Sequence, residues 1–176
     1  ATGQLTLYNS IIEMGQGADT ALAQVTSEAV GVPLESVRVS PTDTRFTPYD
    51  SGTSSSRGTS MMSEAVRDGA ATLKQQLIEA AAPLLEQAVE KLVAEDGYVF
   101  DLDLPERRIS YQDILISHQM EELRVTGYHS IEGGIDPEDG QGIAGPHWHQ
   151  GAGACEIEVD TETGKITVLR YHASSF

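Results

Sequence analysis

The sequence predicts an α+β fold: a mixed sheet carrying a long helix with a second helix packed on it, and a C-terminal β-hairpin. Three observations predict it. Residues 18–30 and 62–92 repeat apolar side chains at three- and four-residue steps, the period of one helix face. Residues 152–160 alternate instead, as strands do, and Ile166, Val168 and Leu169 lead a return strand toward Tyr171 after the turn Thr161-Glu162-Thr163-Gly164. Short apolar runs between these segments are bounded by Gly, Pro and hydroxyl residues. At 176 residues, 39% hydrophobic and 22% charged, the chain suits one globular domain over residues 1–176.

Taken in order, Leu5, Leu7, Ile11 and Ile12 make a strand from Leu5 to Glu13 that feeds the turn Gly15-Gln16-Gly17. Leu22, Ala23, Val25, Ala29 and Val30 define a helix from Ala18 to Val30, stopped by Gly31 and Pro33. Ser36–Ser40 alternates as a short strand, and residues 42–56 read as an irregular, hydroxyl-rich loop. Met62, Ala65, Val66, Gly69, Leu73 and Leu77 form the stripe of the long helix. Pro83 interrupts it, and Leu84, Leu85, Ala88, Val89 and Leu92 resume the pattern, giving a kinked helix or two stacked ones. Tyr98–Leu104 and Arg107–Ser110 read as strands. Ser110-Tyr111-Gln112-Asp113 resembles a capping box for a short helix to Ser117, Leu123–Ile131 reads as a further strand, and Glu132–Pro146 as a long loop.

A net charge of −16 repels phosphate backbones and anionic lipid, which argues against nucleic acid and membrane surfaces as partners. The single cysteine, Cys155, has no partner in the chain for a disulfide, and no run nears the ~18 apolar residues of a membrane helix. No basic leader with an apolar stretch is visible, so a cytoplasmic protein is expected; the start at Ala1 suggests a processed or excised piece.

Two segments could carry chemistry. Gly15-Gln16-Gly17, between strand and helix, can aim backbone N–H groups at an anion where the helix dipole favours it, with Gln16 adding an amide that donates and accepts; the alternative is a tight turn and no more. Ser54-Ser55-Ser56-Arg57, followed by Gly58, offers hydroxyls, a guanidinium and successive amides ahead of the long helix; the alternative is an N-cap with two spare serines. His147, His149 and Cys155 lack further ligands at metal-site spacing, and Asp136-Pro137-Glu138-Asp139-Gly140 does not follow the calcium-loop order. Nothing resembles a nucleophile elbow. Neither a catalytic residue nor a metal ligand is assigned.

At Glu13-Met14-Gly15-Gln16-Gly17, at Ser56-Arg57-Gly58-Thr59 with Ala65-Val66, and at residues 153–160 with Thr163-Gly164, the chain resembles the molybdopterin-binding part of the xanthine dehydrogenase and aldehyde oxidase family. The blocks follow the family's order and spacing. The resemblance implies a large subunit that holds molybdenum through molybdopterin, often as the cytosine dinucleotide in bacteria, and hydroxylates a heterocycle or aldehyde with oxygen from water. It implies that Gln16 hydrogen-bonds the cofactor beside the metal, that Gly15 and Gly17 shape that turn, and that Ser55, Ser56, Arg57 and Gly58 grip the pterin and its phosphate. The implied partners are the remainder of the large subunit and iron–sulfur and FAD subunits or domains.

The family's catalytic glutamate lies in a Gly-Glu segment beyond the hairpin and has no counterpart here, so the segment is expected to be a fragment without turnover of its own. The alternative is a non-catalytic pterin- or nucleotide-binding, or subunit-assembly, module. A structural domain with an acidic packing surface is the third reading.

Overall fold

The helical period of residues 18–30 becomes α1 (Ala18–Val30) in a computed structural model that describes residues 3–145 and 150–175. Gly17 and Gly31 bracket it in the left-handed region, φ 77° and 73°, where a side chain would be strained. Leu22, Thr26 and Val30 share its buried face. Thr26 is tolerated there because its hydroxyl donates to the Leu22 carbonyl at 2.7 Å.

α1 belongs to the first of two compact units, Ala1–Ser130 and Ile131–Phe176. It packs on α2 (Arg57–Leu85), which turns Val66, Ala70, Leu73, Leu77 and Ala81 inward along one stripe. Ala81, Val99 and Ile114 are fully buried at the centre of the larger core cluster. Ile11, Ala18, Leu22 and Val66 form a second cluster beside the start of α1.

The long helix ends sooner than expected. Pro83 sits in its last turn, the helix stops at Leu85, and Glu86 is left-handed. The apolar residues beyond do not make a second stacked helix. Val89–Lys91 forms a single 3-10 turn and Leu92 opens β3. Ala88, Val89 and Leu92 have a spacing that suits a strand entry as well as a helix, and the buried alternation of Leu92 and Ala94 decides it.

Parallel and antiparallel pairing both occur, in separate small sheets. β1 (Leu5–Leu7) runs parallel to β2 (Val37–Val39), with Leu5 opposite Val37 and Leu7 opposite Val39. The strand expected as far as Glu13 thus ends at Leu7, and residues 8–17 are irregular. β3 (Leu92–Glu95), β4 (Tyr98–Asp101) and β5 (Arg108–Ser110) form an antiparallel meander. α3 (Tyr111–Ser117) follows with the expected capping pair: the Ser110 hydroxyl accepts from the Asp113 N–H at 3.0 Å and donates to the Asp113 carboxylate at 2.6 Å.

The strand expected over Leu123–Ile131 does not form. Leu123, Val125 and Gly127 are half-buried and their neighbours exposed, which is a strand's alternation. The segment lies on a helix instead. Gly127 crosses α2 at Gly69 so closely that a methyl group on Gly127 would fall 1.9 Å from the Ala65 carbonyl oxygen. Next to it, the Tyr128 N–H donates to Asp68 at 2.9 Å.

In the second unit, β6 (Gly134–Ile135) and β7 (Gly142–Ile143) form a small hairpin inside the stretch expected to be loop. β8 (Gly151–Val159) and β9 (Ile166–Ser175) make the expected long hairpin. Asp160 shapes its turn, its carboxylate accepting from the Glu162 and Thr163 N–H groups at 2.9 and 3.2 Å. No described helix is long and apolar enough to cross a membrane.

Candidate cofactor-binding site

The start of α1 is already occupied by an anion, and it is the chain's own. Glu13 folds forward so that one carboxylate oxygen accepts from the Gly15 and Gly17 N–H groups at 2.7 and 3.1 Å, and the other from Asp19 at 3.1 Å. The N–H of Asp19, then those of Gly17, Gly15 and Ala18, hold the Glu13 carboxyl below the ordinary glutamate range. The amides that the sequence suggested for an external anion therefore serve Glu13. Sequence reasoning missed it, although an acidic residue just ahead of a Gly-x-Gly helix start was the available signal.

Gln16 is held by its own loop. Its Oε1 accepts from the Met14 N–H at 2.6 Å and its Nε2 donates to the Ile12 carbonyl at 2.8 Å. These partners fix which end of the amide is which, since one is a donor and the other an acceptor. The second N–H of Nε2 and the remaining lone pair of Oε1 are what Gln16 has left to offer. Methyl groups built on Gly15, Gly17 or Gly52 would meet no atom of the described residues within 4 Å.

The serine loop has a different logic. Ser55 and Ser56 are both left-handed, φ 49° and 55°, a posture that costs an L-residue about 1 kcal/mol. Ser56 is the N-cap of α2, yet its side chain makes no capping bond among the described residues, and its first turn has no acidic residue. The start of α2, unlike that of α1, has no carboxylate bonded to its first-turn N–H groups among the described residues. Arg57 does not reach outward from it. Its guanidinium makes a two-bonded pair with Asp50, Nη1 to Oδ1 at 2.5 Å and Nη2 to Oδ2 at 2.9 Å, and Nη1 also donates to the Gly52 carbonyl at 2.8 Å. Arg57 and Asp50 side chains are 18% and 11% exposed. The Arg57 hydrogen bonds hold the Asp50 carboxyl below its ordinary range, and Asp50 in turn raises Arg57.

The two loops adjoin. The Ile12 N–H donates to the Thr53 hydroxyl at 2.8 Å, and that hydroxyl lies 3.4 Å from the Ile12 carbonyl, the same oxygen that Gln16 binds. The Ser10 hydroxyl donates to the Pro48 carbonyl, and Thr42 reaches the Ile11 carbonyl at 3.3 Å. Gly15, Gln16 and Gly17 are thereby brought beside the loop that carries Ser55, Ser56, Arg57 and Gly58. A methyl group on Gly58 would lie 3.8 Å from Ile11. Asn9 Nδ2 and Ser63 Oγ are buried polar atoms of this unit without a hydrogen-bond partner.

His147 and His149 lie outside the described residues. Cys155 is exposed on β8 opposite Tyr171, and no group of three metal-binding side chains occurs among the described residues. Asp136 and Asp139 spend carboxylate oxygens on the N–H groups of Glu138 and Gln141, both at 2.8 Å.

The family model of the molybdopterin cofactor-binding domain matches residues 1–175. The chain is 28% identical over 173 residues to the nicotine 6-hydroxylase large subunit of Paenarthrobacter nicotinovorans, covering 98% of this chain and 21% of that one. It is 38% identical over 105 residues to the putative xanthine dehydrogenase molybdenum-binding subunit of Escherichia coli K12, covering 59% of this chain and 14% of that subunit. Quinoline 2-oxidoreductase from Pseudomonas putida 86 shares the fold, with a TM-score of 0.62 at 24% identity over 99% of this chain and 22% of that one. The chain thus spans about a fifth or less of these relatives. The family match extends over almost every residue, and the chain belongs to the molybdopterin cofactor-binding domains of the xanthine dehydrogenase and aldehyde oxidase family.

Proposed function

We propose that this chain supplies one wall of the molybdenum cofactor site of a hydroxylase, with the Gly15-Gln16-Gly17 turn and the start of α2 facing one bound pterin. The observation that carries the proposal is the junction at Ile12, where Thr53 and Gln16 bond to the backbone of the same residue and hold the two loops together. The donor set fits the group. Gln16 keeps one N–H for an acceptor beside the metal, and the α2 start, without a side-chain cap or an acidic first turn, suits a phosphate. Ser55, Ser56 and Gly58 supply the hydroxyls and backbone of that grip.

When bound, molybdopterin would supply the redox chemistry of hydroxylation, with water as the oxygen source. The contribution of these residues is to bind and orient. Arg57 acts indirectly, keeping the serine loop in shape through Asp50 and the Gly52 carbonyl rather than touching the phosphate. Substrate contacts, the base, and electron transfer to iron–sulfur and FAD partners belong to other parts of such an enzyme, so the isolated segment is expected to show no turnover. A heterocycle or aldehyde is the proposed substrate class and the cytosine dinucleotide the proposed cofactor form.

The test is metal and pterin analysis of the holoenzyme containing this chain. The reading expects about one molybdenum and one pterin nucleotide per subunit. Bound nucleotide or pterin without molybdenum would replace it with the non-catalytic binding module, and neither would remove it.

A further inference from the structure

We infer that Thr53 is the positioning residue that couples the serine loop to Gln16, so that the direction in which Gln16 presents its N–H depends on a hydroxyl 37 positions further along the chain. The inference deepens the proposed function and rests on it. The Thr53 hydroxyl accepts the Ile12 N–H at 2.8 Å and sits 3.4 Å from the Ile12 carbonyl, so it engages both polar groups of one residue. The same carbonyl accepts Gln16 Nε2 at 2.8 Å, and Gln16 Oε1 is pinned by the Met14 N–H. Rotation of the Ile12 peptides would move the anchor of the Gln16 amide with them.

Ile12 itself supplies little other restraint. Ile12 is 47% exposed, whereas Ile11 beside it is buried in the α1–α2 cluster. The chain is thus clamped by packing at Ile11 and by hydrogen bonds at Ile12, and Thr53 is the partner that reaches Ile12 from the other loop. On the far side of Thr53, Gly52 is tied to the Asp50–Arg57 pair by its N–H to Asp50 at 2.8 Å and its carbonyl to Arg57 at 2.8 Å. A rigid element therefore stands directly behind the hydroxyl. Valine at position 53 would keep the shape and lose both polar contacts, while serine would keep the hydroxyl.

The experiment compares Thr53→Val and Thr53→Ser in the holoenzyme containing this chain, reading cofactor release, the Mo(V) electron paramagnetic resonance spectrum and thermal midpoint. In parallel, amide exchange is measured on the same holoenzyme after its cofactor is removed. Thr53→Val should speed exchange at Ile12 by tenfold or more with α2 amides unchanged, raise cofactor release several-fold and alter the Mo(V) spectrum; Thr53→Ser should restore all three to within twofold. A lowered thermal midpoint with wild-type spectrum and release would make Thr53 merely structural and overturn the inference. So would Thr53→Ser behaving like Thr53→Val, or unchanged exchange at Ile12. Absence of molybdenum from the wild-type holoenzyme would instead remove the proposed function, leaving the exchange result to stand by itself.

Discussion

Asp50 and Arg57 face each other through two hydrogen bonds, at 2.5 and 2.9 Å, in a part-buried pair. Breaking a part-buried pair from one side is costly, because the surviving charge is left without its counter-ion. Asp50→Asn should lower the unfolding free energy of the chain by about 3 kcal/mol, read from urea denaturation at neutral pH. Arg57→Lys keeps the charge but not the planar fork, and should cost about 2 kcal/mol. If Asp50→Asn unfolds at the wild-type urea midpoint, the pair does not hold the serine loop.

Glu13 gives the start of α1 a pH dependence of definite sign. Its folded pKa lies below the ordinary value because backbone N–H groups of Asp19, Gly17, Gly15 and Ala18 favour the carboxylate. The stabilisation is therefore present above about pH 4.5, the ordinary glutamate value, and is lost as pH falls through the lower folded value. Glu13→Gln should be less stable than wild type at pH 7, and the difference should shrink under acid. Circular dichroism melts of both proteins from pH 7 to pH 3 would reveal this convergence; parallel curves would contradict it.

Gly127 tolerates no side chain. A methyl group there would overlap the Ala65 carbonyl oxygen and lie 2.5 Å from the Gly69 nitrogen, both backbone atoms that cannot swing aside. Gly127→Ala should cost roughly 3 kcal/mol or more, at or beyond the upper end for overpacking. Gly15→Ala, where φ is 98° but no atom lies within 4 Å, should show a smaller loss from backbone strain alone. Thermal midpoints of the two variants should rank in that order.

Ser110 makes α3 possible in a helix of only seven residues. Ser110→Ala removes the acceptor for the Asp113 N–H and should cost about 1 kcal/mol. Ser110→Asp, which keeps a cap oxygen but sets a second carboxylate beside Asp113, should fall between the two. Chemical denaturation distinguishes the three proteins.

What could be read from residues alone was whatever local spacing determines. α1 was legible to the residue because glycine marks both ends, and the β8–β9 hairpin because alternation and a glycine turn agree. Ser110 with Asp113 was legible for the same local reason. Past Pro83 the apolar pattern was ambiguous, since Val89 and Leu92 suit a helix face or a strand entry. Leu123–Gly127 had the alternation of a strand, but pairing requires a neighbour, and its neighbour is a helix. The site residues were visible as chemistry while their partners were not. Arg57 read as a phosphate ligand, and nothing in a linear reading says that Asp50, seven positions earlier, folds back on it. The approach of Ile12 to Thr53 joins residues 41 apart and became apparent only once α1 had packed on α2.

The hairpin β8–β9 carries one residue too many. Glu156 pairs with Arg170 and Ile157 with Val168, so Leu169 has no opposite number. Strand geometry counts in twos, and this bulge hides an odd residue from the count: Val168 and Tyr171, three apart, still point the same way. Excising Leu169 would therefore leave every later side chain on its present face. Adding a single residue to the regular stretch on either side would turn the remainder of the strand inside out, putting Tyr171 where His172 now stands.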